Sequence, residues 1–323
     1  MSRNPIPMAL TAALLAGTAQ ADVPRVAVDI APVHALVAQV MQGVGTPDLI
    51  VPPGASPHEH SLRPSEARAL QEADLVVWVG PDLTPWMQDA IATLAGDATA
   101  ATLMEADGVQ LLEVREGALF EAHAHGADAD HADHGHDDHG HDDHGHDDHA
   151  HGAHDPHAWL SPANAGVWLD AIAADLSEAD PDNASRYAAN AAGARAALSA
   201  LTDEVTALLD PVRGGRFIVF HDAYQYFEAA FDMPAAGAIS LSDAAAPSPA
   251  RIAEIRDRVA REGVGCVLSE PQFNPGLVAT VTGGTGVRTA VLDPLGSDLV
   301  PGPALYADLM RGLATALAGC LSE

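Results

Sequence analysis

The chain contains no lysine. All 15 of its basic residues are arginine, set against 45 Asp and Glu, for a formal net charge of −30 at pH 7. An acidic surface without basic clusters argues against nucleic acid as a partner and concentrates cations instead. Long apolar runs are also missing. The only apolar stretch near a terminus, Met8 to Gly17, is too short to span a bilayer, and no later segment is long and apolar enough. With Arg3 ahead of it and Ala19-Gln20-Ala21 behind, that stretch reads as a cleaved signal peptide over residues 1–21. The mature chain is then expected to begin near Asp22 and to work in the periplasm. Cysteine is scarce too, with only Cys266 and Cys320. No Cys-x-x-Cys spacing supports a thiolate zinc site. In an oxidising compartment, an even pair favours a disulfide over two free thiols.

Histidine is abundant. From His123 to His157 there are thirteen histidines and ten aspartates, with no arginine. The unit His-Gly-His-Asp-Asp repeats three times, starting at His134, His139 and His144. Imidazole and carboxylate both ligate borderline metals, and Gly gives such a run slack. A segment this polar cannot bury a core, so residues 123–156 are expected to form a disordered loop. A purification tag would sit at a terminus, and a merely solvating linker would not need the imidazoles. Weak auxiliary metal sites are therefore assigned to His134, His136, His139, His141, His144, His146, His149 and His151.

About 300 mature residues are enough for two lobes with real cores. Up to the His-rich window, strands (Arg25–Ile30, Asp48–Val51, Leu75–Val79) alternate with helices (Pro32–Gln42, Pro64–Glu72, Pro85–Leu94). This alternation predicts an α/β lobe with a mainly parallel sheet covered by helices. Ser161-Pro162 is a strong helix start. Beyond it, Tyr187, Ala191, Ala194, Leu198, Leu201, Val205 and Leu208 make one apolar stripe, ended by Asp210-Pro211. That predicts a rigid helix of roughly 36 Å at 1.5 Å per residue. Alternation then resumes, with strands at Arg216–Phe220, Val264–Ser269 and Val287–Leu292. Helices are expected at Ala223–Phe231, Ala250–Glu262, Pro275–Thr282 and Tyr306–Leu321. The expected organisation is an N-terminal lobe over 22–182, a connecting helix over 183–210 and a C-terminal lobe over 211–323. A bridge from Cys320 to a strand at Cys266 would fix the last helix to the second sheet.

Outside the window only His34, His58, His60 and His221 remain. His58 and His60 lie in the turn-rich segment Pro52-Pro53-Gly54-Ala55-Ser56-Pro57-His58-Glu59-His60, which follows a strand. His221 ends the strand Phe217–Phe220, Asp293 follows Val291-Leu292, and His157 precedes a capped helix. Open α/β sheets place ligands at such strand ends. Three histidines and one oxygen donor suit tetrahedral Zn(II). His34, at a helix start, reads as structural.

Four segments carry a family resemblance. They are Gly54–His58, Asp155-Pro156-His157-Ala158-Trp159-Leu160-Ser161-Pro162, Phe220-His221-Asp222-Ala223-Tyr224-Gln225-Tyr226-Phe227 and Leu292-Asp293-Pro294-Leu295-Gly296. Together with the acidic His-rich insertion, they resemble the metal-specific solute-binding proteins of bacterial ABC importers, the zinc-binding members most of all. The resemblance implies two α/β lobes bridged by one long helix, with metal held between them by His58, His157 and His221. It implies a variable fourth ligand, either Asp293 or an alternative among Glu59, His60 and water. His60 stands where many relatives carry Tyr. It also implies a Cys266–Cys320 disulfide. Zn(II) would be the transported cargo, and an inner-membrane ABC permease the partner. Other periplasmic zinc chaperones are further candidate partners, and a monomer is expected.

Three histidines with an open fourth place also describe catalytic zinc. However, no His-Glu-x-x-His helix and no Gly-x-Ser-x-Gly elbow occurs, so no enzyme is expected. A nonspecific storage protein would leave the strand-end histidines without a task.

Overall fold

The computed structural model describes residues 23–115, 154–240 and 247–322. The signal-like residues 1–21 lie outside this set, as do His134, His136, His139, His141, His144, His146, His149 and His151.

The first lobe is built on β1 (Val26–Val28), β2 (Asp48–Leu49), β3 (Leu75–Trp78) and β4 (Thr99–Thr102). Its order is β2-β1-β3-β4, and every pairing is parallel. β1 and β3 are buried along their whole length, which is why they read as unbroken apolar runs. The covering helices α1 (Ala31–Val40), α2 (Pro64–Gln71) and α3 (Pro85–Leu94) each carry proline in the first two positions. Proline there supplies a pre-set φ and lacks only an N–H that the helix could not use.

α4 (Pro162–Ala179) starts at Ser161, whose hydroxyl accepts from the Asn164 N–H. α5 (Ala184–Leu209) follows and runs 26 residues, about 39 Å at 1.5 Å per residue. It buries Tyr187, Ala191, Leu198, Leu201, Val205 and Leu209. The expected stripe is thus shifted at its end, since Leu208 is 39 % exposed while Leu209 is fully buried. Both lie one turn beyond Val205, and the 3.6-residue period selects the later one.

The second lobe contains β5 (Phe217–His221), α6 (Gln225–Phe231), β6 (Ala238–Ser240), α7 (Pro249–Arg261), β7 (Cys266–Ser269), α8 (Pro275–Thr282), β8 (Arg288–Val291) and α9 (Leu305–Ser322). Its sheet is again parallel, in the order β6-β5-β7-β8. Cys266 on β7 and Cys320 on α9 are disulfide-bonded with Cα atoms 5.8 Å apart, so the last helix is stapled to the sheet. Two strands were not foreseen in the sequence, β4 and β6. Both are short edge strands, and β4 is made of Thr and Ala.

The lobes share one apolar core. A single buried cluster includes Val28 of β1, Val33 of α1, Trp168 of α4, Val205 of α5, Phe217 of β5 and Leu313 of α9. Among the described residues, no helix is long and apolar enough to cross a membrane.

Candidate metal centre

The carboxyl ends of both sheets deliver side chains to one small cleft, as parallel α/β sheets do. On the N-terminal side, the chain leaves β2 and turns through Gly54, whose φ of +82° favours glycine. Two contacts then fix the loop. The Ser56 hydroxyl accepts from the His58 N–H at 3.2 Å, and the Trp86 indole N–H donates to the Pro57 carbonyl at 2.8 Å. On the C-terminal side, His221 is the last residue of β5. His157 sits between them, in the short segment before Ser161.

The rings of His58 and His157 have centroids 5.6 Å apart, and those of His157 and His221 5.3 Å apart. The Nε2 atoms of His157 and His221 face each other at 3.4 Å. Two nitrogens each about 2.0–2.1 Å from a tetrahedral zinc ion lie about 3.3 Å apart, with ring centres about 5 Å apart. The spacing of His157 and His221 therefore matches that of two ligands on one ion. The tight element is this pair: among the described residues, no three His, Cys, Asp or Glu donors form a ready ligand set.

Carboxylates hold the other ring nitrogens. Asp155 Oδ1 lies 2.7 Å from Nδ1 of His157 and also accepts the His157 backbone N–H at 2.9 Å. Glu270 Oε1 lies 2.7 Å from Nδ1 of His221 and 3.3 Å from its backbone nitrogen. A proton on each Nδ1 leaves the Nε2 lone pairs pointing at each other, the arrangement carboxylates impose on metal-binding histidines. Two lone pairs in such contact repel unless a cation or proton lies between them. Both carboxylates are buried, at 4 % exposure each. With neutral imidazoles the cluster carries a formal −2, which one divalent ion balances.

The cavity between these groups is about 20 Å³, lined by His58, His157, His221, Glu270, Trp159 and Phe273 among others. That is room for one ion or water, whereas organic ligands occupy roughly 300–1,000 Å³. The geometry is that of a site for a single small cation and offers no place for a hydrolysable substrate.

The remaining sequence candidates lie elsewhere. His60 Nε2 contacts Glu66 at 2.9 Å, and its ring packs on Trp86, so it faces α2. Glu59 is exposed. Asp293 closes the turn after β8: its oxygens accept the backbone N–H groups of Leu295 and Gly296 at 3.0 Å each, and that of Ser297. It reaches the cleft only indirectly, through the Gln272 amide at 3.4 Å. His34 is buried against the Pro47 carbonyl, and burial holds its pKa below the usual imidazole value, in keeping with a structural role.

Sequence reasoning missed Asp155 and Glu270. Each had a signal. Asp155 lies two residues before a candidate ligand, and Glu270 directly follows β7, the same strand-end position that singled out His221.

Comparison with known proteins identifies the family. The family model for the periplasmic zinc-uptake complex component A, ZnuA, matches residues 26–320. The high-affinity zinc uptake system protein ZnuA of Paracoccus denitrificans (strain Pd 1222) is 48 % identical over 320 residues, covering 98 % of each chain. The protein of the same description from Yersinia pestis is 33 % identical over 324 residues, covering 97 % of this chain and 96 % of its own. A crystal structure of ZnuA superposes with a TM-score of 0.72 at 22 % identity, covering 92 % of this chain and 99 % of that one. At that identity the likeness speaks for the fold alone.

Proposed function

The chain belongs to the family of periplasmic zinc-uptake components, and on that premise we propose that His58, His157 and His221 hold its zinc cargo between the lobes. Members of this family are solute-binding proteins, not enzymes, and they work with an ABC importer of permease and ATPase. The cargo is Zn(II), captured in the periplasm and handed to that importer.

One observation carries the ligand assignment. Two buried imidazoles present Nε2 atoms to each other at 3.4 Å while carboxylates occupy both Nδ1 positions. The fourth place goes to water in this reading. Asp293 is committed to the turn amides and His60 to Glu66, while Glu59 is exposed. All-nitrogen protein ligation favours zinc over manganese, which prefers oxygen. Metal binding requires neutral imidazoles, so affinity falls as the solution is acidified.

Several finer assignments belong to the same proposal. The chain is exported by cleavage after residue 21 and acts as a monomer, with lobes over 22–182 and 211–323 joined by 183–210. The imidazoles from His134 to His151 act as weak auxiliary zinc sites that raise local supply or sense excess, and other periplasmic zinc chaperones exchange metal with them.

The test is a competitive zinc titration of the mature, metal-stripped protein beside His221→Ala. One tight equivalent that disappears in the variant, with weaker sites surviving, is the expected result. Identical weak titrations of both proteins would overturn the cleft assignment and leave a metal buffer.

A further inference from the structure

His221 belongs to its sheet and His58 to a loop pinned by Ser56 and Trp86, but His157 is held differently. It stands at the end of a two-stranded stem. Within that stem, Glu113 and His154 form an antiparallel bridge, and the Asp155 N–H donates to the Leu112 carbonyl at 2.8 Å. Tyr226 of α6 clasps both strands, its hydroxyl accepting from the Leu112 N–H and donating to the Asp155 carbonyl at 3.0 Å each. Two residues beyond Glu113 on the first strand stands Arg115. Its guanidinium contacts the carboxylates of Asp222 and Glu228 together, with Nε 3.0 Å from Asp222 Oδ2 and Nη1 2.8 Å from Glu228 Oε2. Nη2 reaches both carboxylates as well.

We propose that Arg115 is a positioning residue for zinc binding, a latch that locks the stem carrying Asp155 and His157 onto the lobe that carries His221. The two halves of the latch end at the two facing imidazoles. Asp222 is the neighbour of His221 in the chain, and Asp155, whose N–H is bonded to the carbonyl of Leu112 three residues before Arg115, orients His157. Guanidinium is suited to this task because its rigid fork engages two planar carboxylates at once, which an ammonium cannot. Both acceptors are buried, with side chains 6 % exposed, so water does not screen the contact. Removing the arginine leaves two uncompensated buried carboxylates beside a third at Asp155. Their repulsion drives the stem off the C-terminal lobe. His157 Nε2 then loses its place opposite His221.

This inference rests on the three-histidine reading, and the test separates the two. The mature full chain is compared with Arg115→Met, Arg115→Lys and the neutral triple variant Arg115→Met/Asp222→Asn/Glu228→Gln. The triple variant removes the latch without stranding charge. Readouts are zinc affinity by chelator competition, melting of the metal-free form, and the visible absorption of the Co(II)-substituted site, which reports ligand geometry. In the expected result, the triple variant melts within a few degrees of wild type yet binds zinc roughly tenfold or more weakly, the scale of outer-shell losses. Its Co(II) bands weaken, and lysine recovers part of the affinity. Wild-type affinity and Co(II) spectrum in a folded triple variant overturn the latch. So does failure of all three variants to fold, which makes Arg115 a general stability residue. If His221→Ala retains the tight equivalent, the three-histidine reading itself falls. If it loses that equivalent while the Arg115 variants bind normally, only the latch does.

Discussion

Replacing Glu270 tests whether the buried carboxylates tune the metal centre or merely fill space. Glu270 follows β7 and accepts from Nδ1 of His221 at 2.7 Å in a nearly closed environment. Its charge raises the basicity of Nε2, and its position fixes the tautomer that leaves the lone pair facing the cleft. Loss of such a partner lowers metal affinity about 10–100-fold, equivalent to about 1.4–2.7 kcal/mol. Glu270→Gln keeps an acceptor in place and surrenders only the charge, so it should fall near the tenfold end. Glu270→Ala also frees the ring to rotate and change tautomer, and should approach a hundredfold. The metal-free protein should respond in the opposite sense. Two buried carboxylates there have no cation to balance them, so removing one leaves apo stability unchanged or raised. Chelator competition at fixed pH and salt reads the affinity, and thermal melting of the stripped protein reads the stability. Zinc affinity in Glu270→Ala within twofold of wild type would refute the argument, provided His221→Ala loses the site.

Three further outcomes are expected. Asp29 is fully buried at the end of β1, and burial pushes its pKa up from 3.8 to about 7 against the opposing N–H bonds from Val79 and Ile30. The unfolded chain ionises near 4 and the folded one near 7, so this group's contribution to stability falls as pH rises from 4 to 7, by on the order of 4 kcal/mol. Denaturant melts at pH 5 and pH 8 should therefore show Asp29→Asn gaining on wild type at the higher pH, and a parallel pH dependence in both proteins would count against it. Replacing both Cys266 and Cys320 with Ala opens a disulfide across a sequence separation of 54, so stability should drop by about 4 kcal/mol in urea titrations if chain entropy governs. Trp159→Phe strips the 2.8 Å indole bond to the Pro294 carbonyl and leaves a buried acceptor unmet. It should destabilise the fold by about 1–3 kcal/mol, measured the same way.

Most of the architecture could be read from the chain because its signals were redundant. β1 and β3 are unbroken apolar runs, β5 is apolar up to His221, α1 to α4 carry proline in their first two positions, and α5 carries its own 3.6-residue stripe. β4 and β6 escaped because an edge strand of Thr and Ala, or one of three residues, has too few side chains to show a pattern. The same asymmetry holds in the cleft. Imidazoles at strand ends are conspicuous in a chain with few histidines outside one window. Asp155 and Glu270 are two carboxylates among 45 acidic residues, and only three-dimensional placement distinguishes them. Asp293 shows the converse. A carboxylate at a strand end was a fair ligand candidate, but Pro294-Leu295-Gly296 bends the backbone so that its amides face the oxygens first.

The apolar core that threads both lobes along α5 bears on traffic at the importer. Swinging the lobes apart would expose that core at about 25 cal/mol for each Å² of apolar surface, so wide opening is energetically closed off. Cargo-free and cargo-bound molecules must then share nearly the same silhouette. An importer docking on that silhouette meets empty carriers as competitors for the full ones. It can favour a full one only through a local cue, such as the order of the few residues around the ion. Uptake by such a system should be throttled by surplus empty carrier.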